Sequence, residues 1–138
     1  MSSKSRVLLL ITAVAAVVAL AINACGAGGG STAPIAVSKT ADGRVSFQGT
    51  VQPILADHCI RCHGESADGA LSILSYEAVM KGGKSGDFVI PGNPDESRLI
   101  TSVEKTREPF MPPRIFPALT EDRIGALRQW ISEGAEDN

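Results

Sequence analysis

Apolar and polar positions are distributed unevenly along this chain. Residues 7–22 (VLLLITAVAAVVALAI) form an apolar run without a charged side chain, and a polar, glycine-rich stretch follows. Helical spacing begins at Phe47, with Val51, Ile54 and Leu55 recurring on one face. It predicts a short helix starting at Gly49 or Thr50, with Thr50 as cap and Pro53 in an early turn, where a missing N–H is tolerated. A second short helix is expected over Leu74–Met80, stopped by Lys81-Gly82-Gly83. A third is expected over Pro94–Ile100, with Pro94 in its first turn and Asp95 and Glu96 complementing its positive end. Residues 109–113 (PFMPP) must be extended, because a residue before proline is pushed out of the helical region. The last helix has Thr120 as cap, Glu121 and Asp122 in its first turn, an apolar stripe of Ile124, Leu127, Trp130 and Ile131, and Gly134 as its stop. Strand-like alternation and repeats are missing, so an all-α fold of about four short helices and ordered loops is expected over residues 46–138.

Lys4 and Arg6 ahead of the apolar run, and Ala24 before Cys25, complete the n-region, h-region and cut site of an export signal over residues 1–24. Sixteen apolar residues are short for a spanning helix, which needs about 20; an uncleaved signal anchor is the second choice. Ile22-Asn23-Ala24-Cys25 resembles a bacterial lipoprotein signal, with Asn23 an unusual occupant. The resemblance implies cleavage before Cys25 and lipidation of its sulfur, which places the mature protein in the cell envelope, anchored to a membrane. Residues 25–45 then read as lipidated cysteine and flexible tether. Removing Lys4 and Arg6 from the 13 basic residues leaves 11 against 15 acidic ones, near −4. No basic run tracks a phosphate backbone, so nucleic acid is not an expected partner.

Cys59-Ile60-Arg61-Cys62-His63 matches C-x-x-C-H, the pattern of covalent haem attachment. Two thiols three positions apart reach the two vinyl groups on one side of a porphyrin, and the adjacent His63 lies where its imidazole can bind iron. A redox dithiol usually follows a βαβ pattern, which this chain lacks. A zinc site would have to draw nitrogen ligands from His58 and His63 alone. A plain disulfide in an exported protein is the third competitor. A domain of about 90 residues with so thin a core also needs a staple, which favours a cofactor.

The other face of the iron has three candidate residues, or is left empty. His58 directly precedes the attachment pair, on the side clamped to the proximal face, and is expected at the surface. Met80 falls in a short helix and is expected to pack in the core. Met111 stands far along the chain, stiffened by Pro112 and Pro113, and is the choice. His/Met ligation raises the reduction potential and leaves no open iron position.

Val51-Gln52-Pro53-Ile54-Leu55, Cys59 to Gly64, Gly82 to Gly86, Val89-Ile90-Pro91-Gly92-Asn93-Pro94 with Ser97 and Leu99, Met111-Pro112-Pro113, and Trp130-Ile131 with Gly134-Ala135 make an ordered series. Together they resemble the planctomycete-type cytochrome c domain, a divergent class I c-type cytochrome, over residues 46–136. The resemblance implies one haem c linked through Cys59 and Cys62, with His63 proximal and Met111 distal. In that family the domain is often fused to larger modules; here it stands alone, so their functions do not carry over.

The expected function is electron transfer by a membrane-tethered carrier between membrane-bound or periplasmic redox proteins, rather than catalysis. The alternatives are a fixed subunit of a respiratory or photosynthetic complex, and a peroxidase-like or gas-binding haem with an open distal site. The run from Lys81 to Gly86 lacks the strand and spacing of a P-loop; it reads as a solvated loop or as backbone passing close to haem, with Lys84 near a propionate. Arg98, Lys105, Arg107 and Arg114 form a basic stretch suited to an acidic partner or simply to solvent.

Overall fold

The computed structural model describes residues 34–138. The export signal, Cys25 and the first part of the tether lie outside the described residues. Five α-helices carry the fold: α1 (Gln52–His58), α2 (Ile60–His63), α3 (Tyr76–Lys81), α4 (Arg98–Val103) and α5 (Glu121–Ser132). Among the described residues the only β pairing is two isolated bridges, Lys39 with Val45 and Gly83 with Gly86. The domain is a small all-α fold, as the spacing predicts. No helix among the described residues is long and apolar enough to cross a membrane.

The first helical segment opens as a wide π turn over Phe47–Val51 that runs directly into α1. Its cap is Ser46, whose Oγ accepts the Gly49 N–H at 3.0 Å, not Thr50 as expected. The wider turn moves the start back by a few residues. Thr50 is buried inside it, accepting the Ser38 N–H at 2.8 Å and donating to the Ser38 carbonyl. The packed body therefore reaches back before Ser46: Val45 is fully buried, and Ile35 packs against the core.

Helix α3 starts where Ser75 Oγ accepts the Ala78 N–H and ends at Gly82. Helix α4 departs from expectation, beginning at Arg98 rather than at Pro94. Ser97 is fully buried; its hydroxyl donates to the Asn93 carbonyl and accepts the Ile90 N–H, both at 2.9 Å. Those bonds hold Pro94–Glu96 in a turn ahead of the helix. Asp95 thus serves not a helix end but Arg128, which also pairs with Glu104 at 2.7 Å and so links the end of α4 to α5.

Helix α5 occupies its predicted span. Thr120 holds the cap position with extended backbone, but its hydroxyl donates to the Asp122 carboxylate instead of serving a backbone N–H. The buried face carries Leu127, Trp130 and Ile131 with Ala126, while Ile124 is only partly covered. Trp130 and Tyr76 flank Phe47 at ring-centroid distances of 5.4 and 5.3 Å, the Tyr76 pair edge-on. This aromatic trio lashes the π turn to α3 and α5. The Trp130 Nε1–H and Tyr76 O–H are both satisfied, by the carbonyls of Glu136 and Ala135.

One turn is closed so tightly that only glycine fits. Gly82 has φ 71° and ψ −160°, a region that is essentially glycine's alone, and a Cβ there would lie 2.4 Å from the Gly86 carbonyl oxygen. Gly82→Ala should cost roughly 2–5 kcal/mol, strain and overpacking together. The thermal midpoint should drop by about 10 °C or more. Gly125, inside α5, has nothing within 4 Å of its would-be Cβ. Gly125→Ala should raise the midpoint slightly, since alanine gains about 1 kcal/mol over glycine in a helix.

Candidate functional site

The C-x-x-C-H motif sits on nearly continuous helix. Cys59 donates its N–H to the Leu55 carbonyl at 2.8 Å, its backbone bends to φ −121°, and α2 then carries Cys62 and His63. A three-residue separation on a helix puts both sulfurs on one side. The two thiols are not joined to each other. Burial pushes the Cys59 thiol up to about 12, with Cys62 adding to the effect, so this sulfur is a neutral thiol at neutral pH.

His63 is fixed from several directions. Its N–H reaches the Cys59 carbonyl, and its own carbonyl accepts the Ile73 N–H, both at 2.9 Å. Its ring Nδ1 lies 3.0 Å from the Asp68 carbonyl oxygen. A carbonyl can only accept, so Nδ1 carries the hydrogen and Nε2 keeps a lone pair for a metal. The sequence motif shows the imidazole but not this partner, because a backbone carbonyl leaves no signature in residue identity.

Met111 arrives from the proline-rich loop. Its N–H donates to the Ser102 carbonyl at 3.0 Å, which ties the loop to the last turn of α4. Two adjoining hollows of about 110 and 280 Å³ lie between this loop and the motif. Cys59, His63, Asp68, Val103 and Met111 border both. Leu71, Ile73, Phe88 and Leu99 give the smaller one an apolar wall. Cys62, Phe116, Leu119 and three prolines line the larger. Arg61 lies over the Phe116 ring, 5.3 Å from its centroid, and holds the loop against α2.

His58 is not at the surface as expected. It is half-buried and borders the larger hollow, and its Nε2 is buried without a hydrogen-bond partner among the described residues. Burial lowers its pKa, Arg123 adds to the lowering, and Asp57 opposes it; the ring is accordingly held toward its neutral form. Because α1 leads into the motif without a loop, the side chain next to Cys59 remains in the wall of the hollow. Met80 packs against the core and borders neither hollow.

The glycine-rich run pairs with itself and with the loop after the motif: Lys84 N–H donates to the Gly69 carbonyl at 2.8 Å. It forms one rim of the smaller hollow, with Lys84 exposed. Of the basic stretch, Lys105, Arg107 and Arg114 are exposed, whereas Arg98 is half-buried on that hollow's wall.

This geometry suits a flat, largely apolar cofactor with a central metal better than a bare ion. Among the described residues no group of three or more His, Cys, Asp or Glu is placed to hold a metal ion. Two one-sided thiols, an imidazole with a free Nε2 and a thioether-bearing side chain bordering shared apolar space would instead suit an iron porphyrin.

Residues 59–114 match the family model described as Planctomycete cytochrome C. No curated protein and no solved structure matches the chain significantly.

Proposed function

We propose, from the premise that this chain carries a planctomycete-type cytochrome c domain and so works in haem-based electron transfer, that it is a membrane-tethered monohaem carrier. In this reading Cys59 and Cys62 would hold one haem c covalently, and His63 and Met111 would hold its iron. Bound iron porphyrin supplies a one-electron couple. The protein's residues position that couple and seal it. The Asp68 carbonyl sets the His63 tautomer and ring plane, and the Ser102 carbonyl holds Met111 in place. Ligands fixed in this way rearrange little between oxidation states, which favours outer-sphere transfer over chemistry at the metal. The observation that carries the reading is His63 with Nδ1 committed to a carbonyl and Met111 bordering the same hollows.

Lipidation of Cys25 would confine the carrier's search to a membrane surface and raise its effective concentration near membrane-bound or periplasmic redox partners. Mass spectrometry of the full chain matured in a host that attaches haem tests both parts. The expected mature mass begins at Cys25 with acyl chains and includes one porphyrin. A polypeptide with no added porphyrin mass would end the haem reading, and an unmodified Cys25 would end the lipid anchor, leaving an uncleaved signal as the remaining tether.

A further inference from the structure

Most arginines that the fold covers are accounted for. Arg44 pairs with Asp42 and Glu136, and Arg128 with Glu104 and Asp95. Arg123 sits in the buried face of α5 and has an interaction of its own. Arg98 is different: it is half-buried at the start of α4 and has no carboxylate, hydrogen-bond acceptor or ring partner among the described residues. None of its guanidinium nitrogens is among the buried unpartnered atoms, so its apolar stem is covered while the charge stands at the edge of the fold, open to water and to whatever fills the space beside it.

What it faces is the smaller hollow, which it borders together with Ser102, one helical turn further along the same face of α4. Cys62 borders only the larger hollow, and Arg98 only the smaller. A porphyrin carries its two vinyl groups on one side and its two propionates on the other. Anchoring the vinyl side at Cys59 and Cys62 sends the carboxylates away from Cys62. We propose that Arg98 is the counter-charge that binds a propionate of the porphyrin in the smaller hollow. The proposal rests on the haem reading above and assigns Arg98 to the cofactor rather than to a docking face. The other charged groups on that wall are Lys84, which is exposed, and Asp68, whose carbonyl serves His63. Helix α4 would thus hold the cofactor twice, through Arg98 directly and through the Ser102 carbonyl that fixes Met111.

The test is the midpoint potential of full-length holoprotein followed from about pH 5 to 8. A propionate paired with guanidinium stays ionised across that range, so the wild-type potential should be nearly flat, keeping only the shallow slope that the second propionate gives every variant alike. In Arg98→Gln and Arg98→Met the unpaired propionate takes up a proton within the range. The potential should then climb as pH falls, by about 59 mV if the pairing is worth a tenfold change in the one-electron equilibrium constant. Arg98→Lys should restore most of the flatness, and Arg107→Gln, an exposed control, should track wild type. Neutral variants whose profiles superimpose on wild type, or a control with an equal slope, overturn the proposal. So does a wild type that already climbs by the full amount expected of the neutral variants, or an Arg98→Lys profile no flatter than that, which decides the matter even if the neutral variants do not fold. Porphyrin mass retained in every variant leaves the haem reading standing whatever the profiles show, and a wild type without porphyrin overturns both.

Discussion

Replacing Cys59 and Cys62 together by serine should turn a haem that survives acidic acetone into one extracted completely, and should make thermal stability depend on dilution. On the proposed attachment the wild-type cofactor is bonded at two sulfurs and has no dissociated state to populate. In the double variant the same group is held only by His63, Met111 and the apolar walls. Its stabilisation then follows mass action: about 4 kcal/mol when haem stands a thousandfold above its dissociation constant, falling by about 1.4 kcal/mol for each tenfold dilution. In a domain of this size that is a fall of roughly 6–11 °C in midpoint per decade, against none for wild type. If the two hollows hold the cofactor as proposed, the apolar residues that line them lose their packing partner when haem leaves. The single variants should keep one bond and resist extraction. A double variant that retains haem in acidic acetone, or a wild type that releases it, would show that the thiols are not the attachment points.

Parts of this molecule announce themselves in the sequence and others do not, for physical reasons. Helix α5 was legible because its buried face repeats at helical spacing and its ends carry ordinary stop and start residues. Helix α3 is nearly so: expected over Leu74–Met80, it runs over Tyr76–Lys81, with Ser75 as the cap that the apolar spacing does not show. The boundary of α4 was hidden because Pro94-Asp95-Glu96 is an equally good helix start and a good turn. The choice was made by Ser97, whose hydroxyl prefers Ile90 and Asn93, eight and five residues before Arg98. The wide turn at Phe47–Val51 was invisible for a similar reason: a hydrogen bond one residue longer alters no pattern of apolar positions, yet moves the cap from Thr50 to Ser46. At the site, residue types with metal or thioether chemistry could be named from the motif and from the prolines around Met111. The groups that aim them could not, since the Asp68 and Ser102 carbonyls belong to the backbone. Sequence neighbours alone point His58 to the surface and Arg98 to a basic face. Both are half-buried in the walls of the hollows, because helices adjoining the motif and the distal loop turn those side chains inward.

Met111→Ala should give a holoprotein that keeps its covalent haem yet binds carbon monoxide rapidly when reduced, turns from low to high spin when oxidised, and loses potential. On the proposed ligation by His63 and Met111, wild type should bind the gas slowly or not at all. The potential falls because the thioether favours the reduced iron; axial ligand choice spans roughly 0.8 V across haem proteins, and a drop on the order of 100 mV is a modest share of that. Met111 is also part of the wall, so truncation alone costs stability, and a melt could not separate the two roles. Met80→Ala can. Met80 packs against the core and borders neither hollow, so its truncation should cost up to about 2 kcal/mol and leave gas binding, spin state and potential as in wild type. A wild type that takes up carbon monoxide as readily as Met111→Ala would mean that the thioether is not on the iron. The domain would then have an open haem position, and catalysis at the metal would displace electron carriage as its function.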